Sequence, residues 1–117
     1  MMVELSWPAK ELWPNARSRS HWPKTRATKV AVAEAWGATH AAMLGRKFQH
    51  NGERLPLVIT AYPPTIRHAD DDNVTSACKA SRDGIARALG IDDKYFDQRL
   101  QWGEAVKGGK IVVAVGG

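Results

Sequence analysis

Residues 72–90 read DNVTSACKASRDGIARALG, and the reading of the fold turns on them. Small or apolar residues recur at Val74, Ala77, Cys78, Ser81, Ile85, Ala88 and Leu89, the spacing of a helix that buries one face. Asp72, Ser76, Lys79 and Asp83 fall within about 60° of one another on the opposite side. Gly90 is a helix stop. Upstream, residues 55–62 (LPLVITAY) are a β-rich run closed by Pro63-Pro64, which predicts a buried strand. Downstream, residues 98–106 and 110–115 flank Lys107-Gly108-Gly109, which predicts a β-hairpin whose second strand offers an edge.

Residues 3–7 (VELSW) alternate as a first strand stopped by Pro8. Residues 10–23 hold Pro14, Asn15, Ser18, Ser20 and Pro23 and read as loop. From residue 24 to 44 alanine is abundant and proline absent. There Val30, Ala33, Gly37, Ala41 and Leu44 mark a narrow apolar helical face that stops at Gly45. The order β-α-β-α-β-β predicts a single α+β domain over residues 1–117, a mixed sheet with two helices packed on one face.

Composition bounds the function. The chain has 117 residues, 44% hydrophobic and 25% charged, which suits one globular domain and excludes a disordered chain. Its 17 Lys and Arg outweigh 12 Asp and Glu, for a net charge of +5. The excess is local: residues 1–54 carry 9 basic and 4 acidic side chains, whereas residues 55–117 carry 8 of each. All the aspartates lie between Asp70 and Asp97. The basic half is expected to meet a polyanion. No run approaches the roughly 18 apolar residues of a membrane span, and the first ten residues do not resemble a secretory signal. Cys78 is the only cysteine, so internal disulfides and cysteine-rich zinc sites are excluded. A reduced, cytoplasmic protein with no membrane partner is expected.

Asp70-Asp71-Asp72 stand where a strand gives way to a helix, and Asp92-Asp93 follow that helix. A helix of about 17 residues is roughly 25 Å long. The two groups therefore share a site only if the second folds back beside the strand end, which a reversal at Gly90 permits. Two carboxylates about 5 Å apart repel by roughly 3 kcal/mol at an effective dielectric near 20. A hard divalent cation offsets that cost. Asp70 and Asp72, alternate residues of a segment read as extended, point to one side. For Asp71 and Asp92 a solvated helix cap or turn stays open. A calcium loop starting at Asp70 would need Gly at its sixth position and Glu at its twelfth, where Thr75 and Ser81 stand. An aspartyl-phosphate enzyme is a minor option, since no Gly-rich phosphate loop is present.

Asp70-x-Asp72-Asn73, Lys79, Asp83-Gly84-Ile85, Ala88-Leu89-Gly90-Ile91 and Asp92-Asp93 together resemble the RusA family of Holliday junction resolvases, found in bacteria and their prophages. Trp13-Pro14-Asn15-Ala16-Arg17, with His21-Trp22 beyond, is similar to that family's N-terminal signature, and Tyr62-Pro63-Pro64 to the segment before its first aspartates. The resemblance runs from about Trp7 to Val115. It implies a Mg²⁺-dependent endodeoxyribonuclease, with Mn²⁺ as a substitute, that resolves four-way DNA junctions by paired symmetric nicks in recombination and repair. It also implies a homodimer, a nucleoid-associated cytoplasmic location, and Asp70, Asp72 and Asp93 as metal ligands. The family's lysine falls one helical turn after the second aspartate, where this chain has Ser76. Part of the family carries it where Lys79 stands, so Lys79 is assigned as the transition-state cation.

In the basic half, Asn15, Arg17, Arg19, Lys24, Arg26 and Lys29 are candidate nucleic-acid contacts. Trp13 and Trp22 interleave with them as stacking residues or as core. His21, His40, His50 and His68 show no ligand spacing, and Cys78 reads as core. The alternative function is a non-catalytic nucleic-acid-binding module on the same scaffold, motivated by Ser76 in the lysine position.

Overall fold

In the computed structural model, which describes residues 1–14, 22–66 and 70–116, the central strand is β2 (Leu55–Tyr62). Leu57, Ile59 and Ala61 alternate along it and are no more than 2% exposed. On one side it pairs in parallel with β3 (Phe96–Trp102), and on the other antiparallel with β4 (Lys110–Val115). The outer strand β1 (Met2–Ser6) pairs antiparallel with β4, giving the order β1-β4-β2-β3. In this register Leu5 lies opposite Ile111, and Ile59 lies between Val113 and Leu100. The three helices α1 (Trp22–Ala42), α2 (Asp71–Ala77) and α3 (Lys79–Leu89) bring Ala35, Val74, Cys78, Ile85, Ala86 and Leu89 onto that face. The α+β class and the mixed sheet are as the sequence predicts.

Four expectations are corrected. The predicted hairpin does not form, because β2 stands between β3 and β4. Gly103 N–H donates to Ala61 O and Val106 N–H to Pro63 O, each at 2.9 Å, carrying the chain past the end of β2. The turn before β4 therefore sets that strand on the far side of β2. Strand β4 is accordingly interior, and the edges are β1 and β3. The single helix predicted after Asp72 is divided at Cys78, whose φ of −89° and ψ of 1° end α2 and begin α3. Arg82 N–H still donates to Cys78 O at 3.0 Å, so the break is a kink that lets both pieces bury apolar residues on one sheet. A 3-10 turn at Lys10–Leu12 occupies part of the predicted loop.

The apolar face read for α1 is also displaced. Val30 is 64% exposed and Leu44 80%, while Ala35 and Thr39 are fully buried. The reason is α3. A Cβ on Gly84 would stand 2.4 Å from the Val32 carbonyl oxygen and 2.9 Å from Ala35 Cβ. The two helices thus touch backbone to backbone, where small residues fit and larger ones are turned outward. At the other end of this contact, Ser6 donates its N–H and Oγ to the two carboxylate oxygens of Glu34 at 3.0 and 2.6 Å, which ties α1 to β1. No described helix is long and apolar enough to cross a membrane.

Gly84→Ala is expected to cost roughly 1–3 kcal/mol of unfolding free energy by overpacking. Gly37→Ala, where the added Cβ meets nothing within 4 Å, is expected to be neutral or stabilising by up to about 1 kcal/mol. Denaturant midpoints of the two variants check the pair.

Candidate functional site

Asp70 sits at the end of the incoming segment with φ −64° and ψ 141°, and its Oδ1 accepts the Asp72 N–H at 2.9 Å. It is the N-cap of α2. Asp72 already belongs to the first helical turn, so the alternation expected of an extended segment does not apply. Asp71 is held elsewhere, since the Trp102 indole N–H donates to its Oδ1 at 2.7 Å. Asp72 is exposed, and no partner for its carboxylate is found among the described residues.

Asp92 repeats the capping device, its Oδ1 accepting the Lys94 N–H at 2.9 Å at the head of a 3-10 turn, Asp93–Tyr95. The Asp93 carboxylate receives Arg82 Nη2 at 3.2 Å, and Arg82 Nη1 donates to Gln98 Oε1 at 3.1 Å. The two acidic groups are therefore anchored at opposite ends of β3. Asp71 is tied to Trp102, its last residue, and Asp93 precedes Phe96, its first. A seven-residue strand spans about 23 Å. Among the described residues no three His, Cys, Asp or Glu side chains gather closely enough to hold an ion. In donor chemistry, Asp72 and the remaining oxygen of Asp70 suit a hard divalent cation. Asp93 is engaged by Arg82.

Between α1 and the α2–α3 pair lies a cavity of about 460 Å³ lined by Lys24, Thr28, Ser76, Lys79, Asp83 and Asp93. Three of the four residues read onto one helical face thus meet there. Asp72 lies one turn before Ser76, about 6 Å along the helix axis, outside the lining. Lys79 shares this space with Asp93 although fourteen residues separate them.

Of the candidate nucleic-acid contacts, Asn15, Arg17 and Arg19 lie outside the described residues, as do His21, His68 and the side chain of Trp22. Lys24 and Lys29 lie on the α3 side of α1. Arg26 faces the other way, toward a groove shared with Trp7, Glu11 and Glu34. Trp13 takes its structural role: its indole N–H donates to Pro8 O at 3.3 Å and its ring lies 5.7 Å from that of Trp7. Sequence reasoning missed Arg82 and Trp102, the residues that orient Asp93 and Asp71. Neither carries a local signal, because both act across the fold.

Cys78 is core as expected, 2% exposed, and burial pushes its thiol from 9.0 up to about 12. The folded state then holds its proton where the unfolded state has lost it. This contribution to stability is complete below pH 9 and fades as pH rises toward about 12. Unfolding midpoints measured across that range should fall, and less so in Cys78→Ala. At pH 8 the native thiol should resist a disulfide reagent that labels it in denaturant.

No family model matches the chain. It is 42% identical, over 122 aligned residues, to an uncharacterized protein of Xylella fastidiosa (strain Temecula1 / ATCC 700964), a match covering 98% of this chain and 75% of the relative. With that identity over nearly its whole length, the chain belongs to the family of the Xylella protein.

Proposed function

We propose that the chain is a metal-dependent endodeoxyribonuclease of the RusA type, acting on branched DNA. The observation that carries this reading is the cavity in which Ser76, Lys79 and Asp83, one turn and more below Asp72, face Lys24 and Asp93. Lysines suited to a phosphate border this space, and Asp72, a carboxylate suited to a cation, lies about 6 Å along the helix axis from its edge at Ser76, the pairing of groups that phosphodiester cleavage requires. The motif resemblance and the basic excess of residues 1–54 support it independently.

In this reading Asp70 and Asp72 would hold Mg²⁺ or Mn²⁺, while Asp93 stays paired with Arg82 at the far end of β3 and borders the cavity. The ion, when bound, acidifies water and draws charge from the phosphoryl oxygens. Lys79 meets the negative charge that grows on those oxygens, and Lys24 across the cavity orients the phosphate. Arg82, held by Gln98, fixes the direction of the Asp93 carboxylate. A homodimer supplies the second site for the paired nick, and a DNA substrate places the protein with the nucleoid in the cytoplasm. A second reading, the non-catalytic nucleic-acid-binding module, is favoured by one observation: Asp93 is paired with Arg82 at the far end of β3 from Asp71.

A synthetic four-way junction incubated with Mg²⁺ separates the two. Wild-type protein is expected to make paired nicks, and Asp72→Asn to cut at least about 100-fold more slowly while still binding the junction. Asp70→Asn should keep its helix cap and lose cleavage, so its melting temperature stays near wild type. Junction binding without cutting in either Mg²⁺ or Mn²⁺ establishes the binding module instead.

A further inference from the structure

Beside the candidate catalytic cavity runs a second opening, about 630 Å³, lined by Lys29, Val32, Trp36 and Arg87. The two share Thr28 and Asp83 and so form one continuous groove. Its walls are ridges of residues four apart: Lys24, Thr28, Val32 and Trp36 on α1, and Lys79, Asp83 and Arg87 on α3. Residue numbers rise together along both walls, so the helices run in the same direction and the groove follows them. From Lys24 to Trp36 it is about 18 Å long, the length of roughly five stacked nucleotides.

The charges in this groove are arranged for a polyanion. Asp83 is paired with Arg87 at 3.0 Å and Asp93 with Arg82 at 3.2 Å, so each carboxylate is met from within. Lys24, Lys29 and Lys79 have no carboxylate partner among the described residues and stand along the same path. At the far end Trp36 is 45% exposed, and its ring is stacked on His40 with centroids 4.9 Å apart and planes 14° from parallel. A tryptophan so exposed contributes little to the core, and its stacking on a neighbouring ring pre-orders it as a platform for another flat ring. Phosphate-tracking cations leading to an aromatic platform are the parts of a single-strand binding track.

We propose that this groove holds an unpaired DNA strand leaving the cleavage site, with its phosphates on Lys24 and Lys29 and one base stacked on Trp36. The inference rests on the nuclease reading for its starting point, and it adds a substrate preference, branched DNA with a single-stranded arm over fully paired DNA. The strand is held by stacking, so base identity matters little.

Two measurements test it. In fluorescence anisotropy with Mg²⁺ omitted, Trp36→Ala should weaken binding to a duplex bearing a single-stranded tail by roughly 5- to 150-fold, the range for loss of one stacked base. Trp36→Phe should retain most of the affinity, and the blunt duplex should bind wild type and Trp36→Ala alike. Equal affinity of Trp36→Ala and wild type for the tailed duplex overturns the proposal, as does an equal loss on the blunt one. The second measurement needs no variant. Irradiation of wild-type protein with a tail containing 5-iododeoxyuridine should yield a cross-linked peptide that includes Trp36, and adducts confined to other residues overturn the proposal. Cross-linking at Trp36 by a protein that never nicks a junction leaves the groove standing and removes the nuclease reading. Nicking with no Trp36 adduct does the reverse.

Discussion

The approach of α3 to α1 at Gly84 is the constraint on which the rest of the structure depends. With a Cβ position 2.4 Å from the Val32 carbonyl oxygen, only a residue without a side chain lets the two backbones meet. That contact rotates α1 so that Ala35 and Thr39 face inward and Val30 faces out. It also leaves the ridges of the two helices side by side, and the space between them is the groove that carries Lys24, Lys79 and Trp36. A glycine chosen for packing thus sets the distance between the groups that would act on a phosphate.

The crossover from β2 through α2 and α3 to β3 has a second consequence. A parallel pair joined by a helical connection returns the chain to the starting end of the sheet. Asp70 and Asp72 follow β2 at one end, and Asp93 introduces β3 at the other. Each acidic group is then fastened to β3, Asp71 by the Trp102 indole and Asp93 through the Arg82 guanidinium that also holds Gln98. The guanidinium is a charge-matched partner for a carboxylate that would otherwise face a lysine-lined cavity without a fixed orientation. Because the side chain of Asp93 is 40% exposed, the pair is an orienting contact more than a stabilising one.

Much of this was legible in the residues. The strands over 55–62 and 110–115, the helix entering at Asp72 and the common face of Ser76, Lys79 and Asp83 follow from periodicity, which depends only on neighbours along the chain. The strand order did not, because Lys107-Gly108-Gly109 signals a reversal but not which side of β2 the chain returns on. That choice is made by Gly103 and Val106, whose N–H groups pair with Ala61 and Pro63 on either side of the last residue of β2. The buried face of α1 is not legible, because its alanines fit either side and only the neighbour at Gly84 decides between them. Arg82 and Trp102 were invisible for the same reason: their partners lie 11 and 31 residues away. Asp70 stands as a helix cap through one oxygen, which leaves its other oxygen for the ligand role that the motif implies.

The central claim is that the carboxylates of Asp70 and Asp72 hold a divalent cation beside the lysine-lined cavity. Titrating the ¹⁵N-labelled protein with substoichiometric Mn²⁺ and following paramagnetic broadening of the amide resonances tests it without any DNA. The account predicts that the amides of residues 70–73 broaden first and that Mg²⁺ competes the effect away. Uniform broadening, or broadening centred elsewhere on the protein, would contradict it.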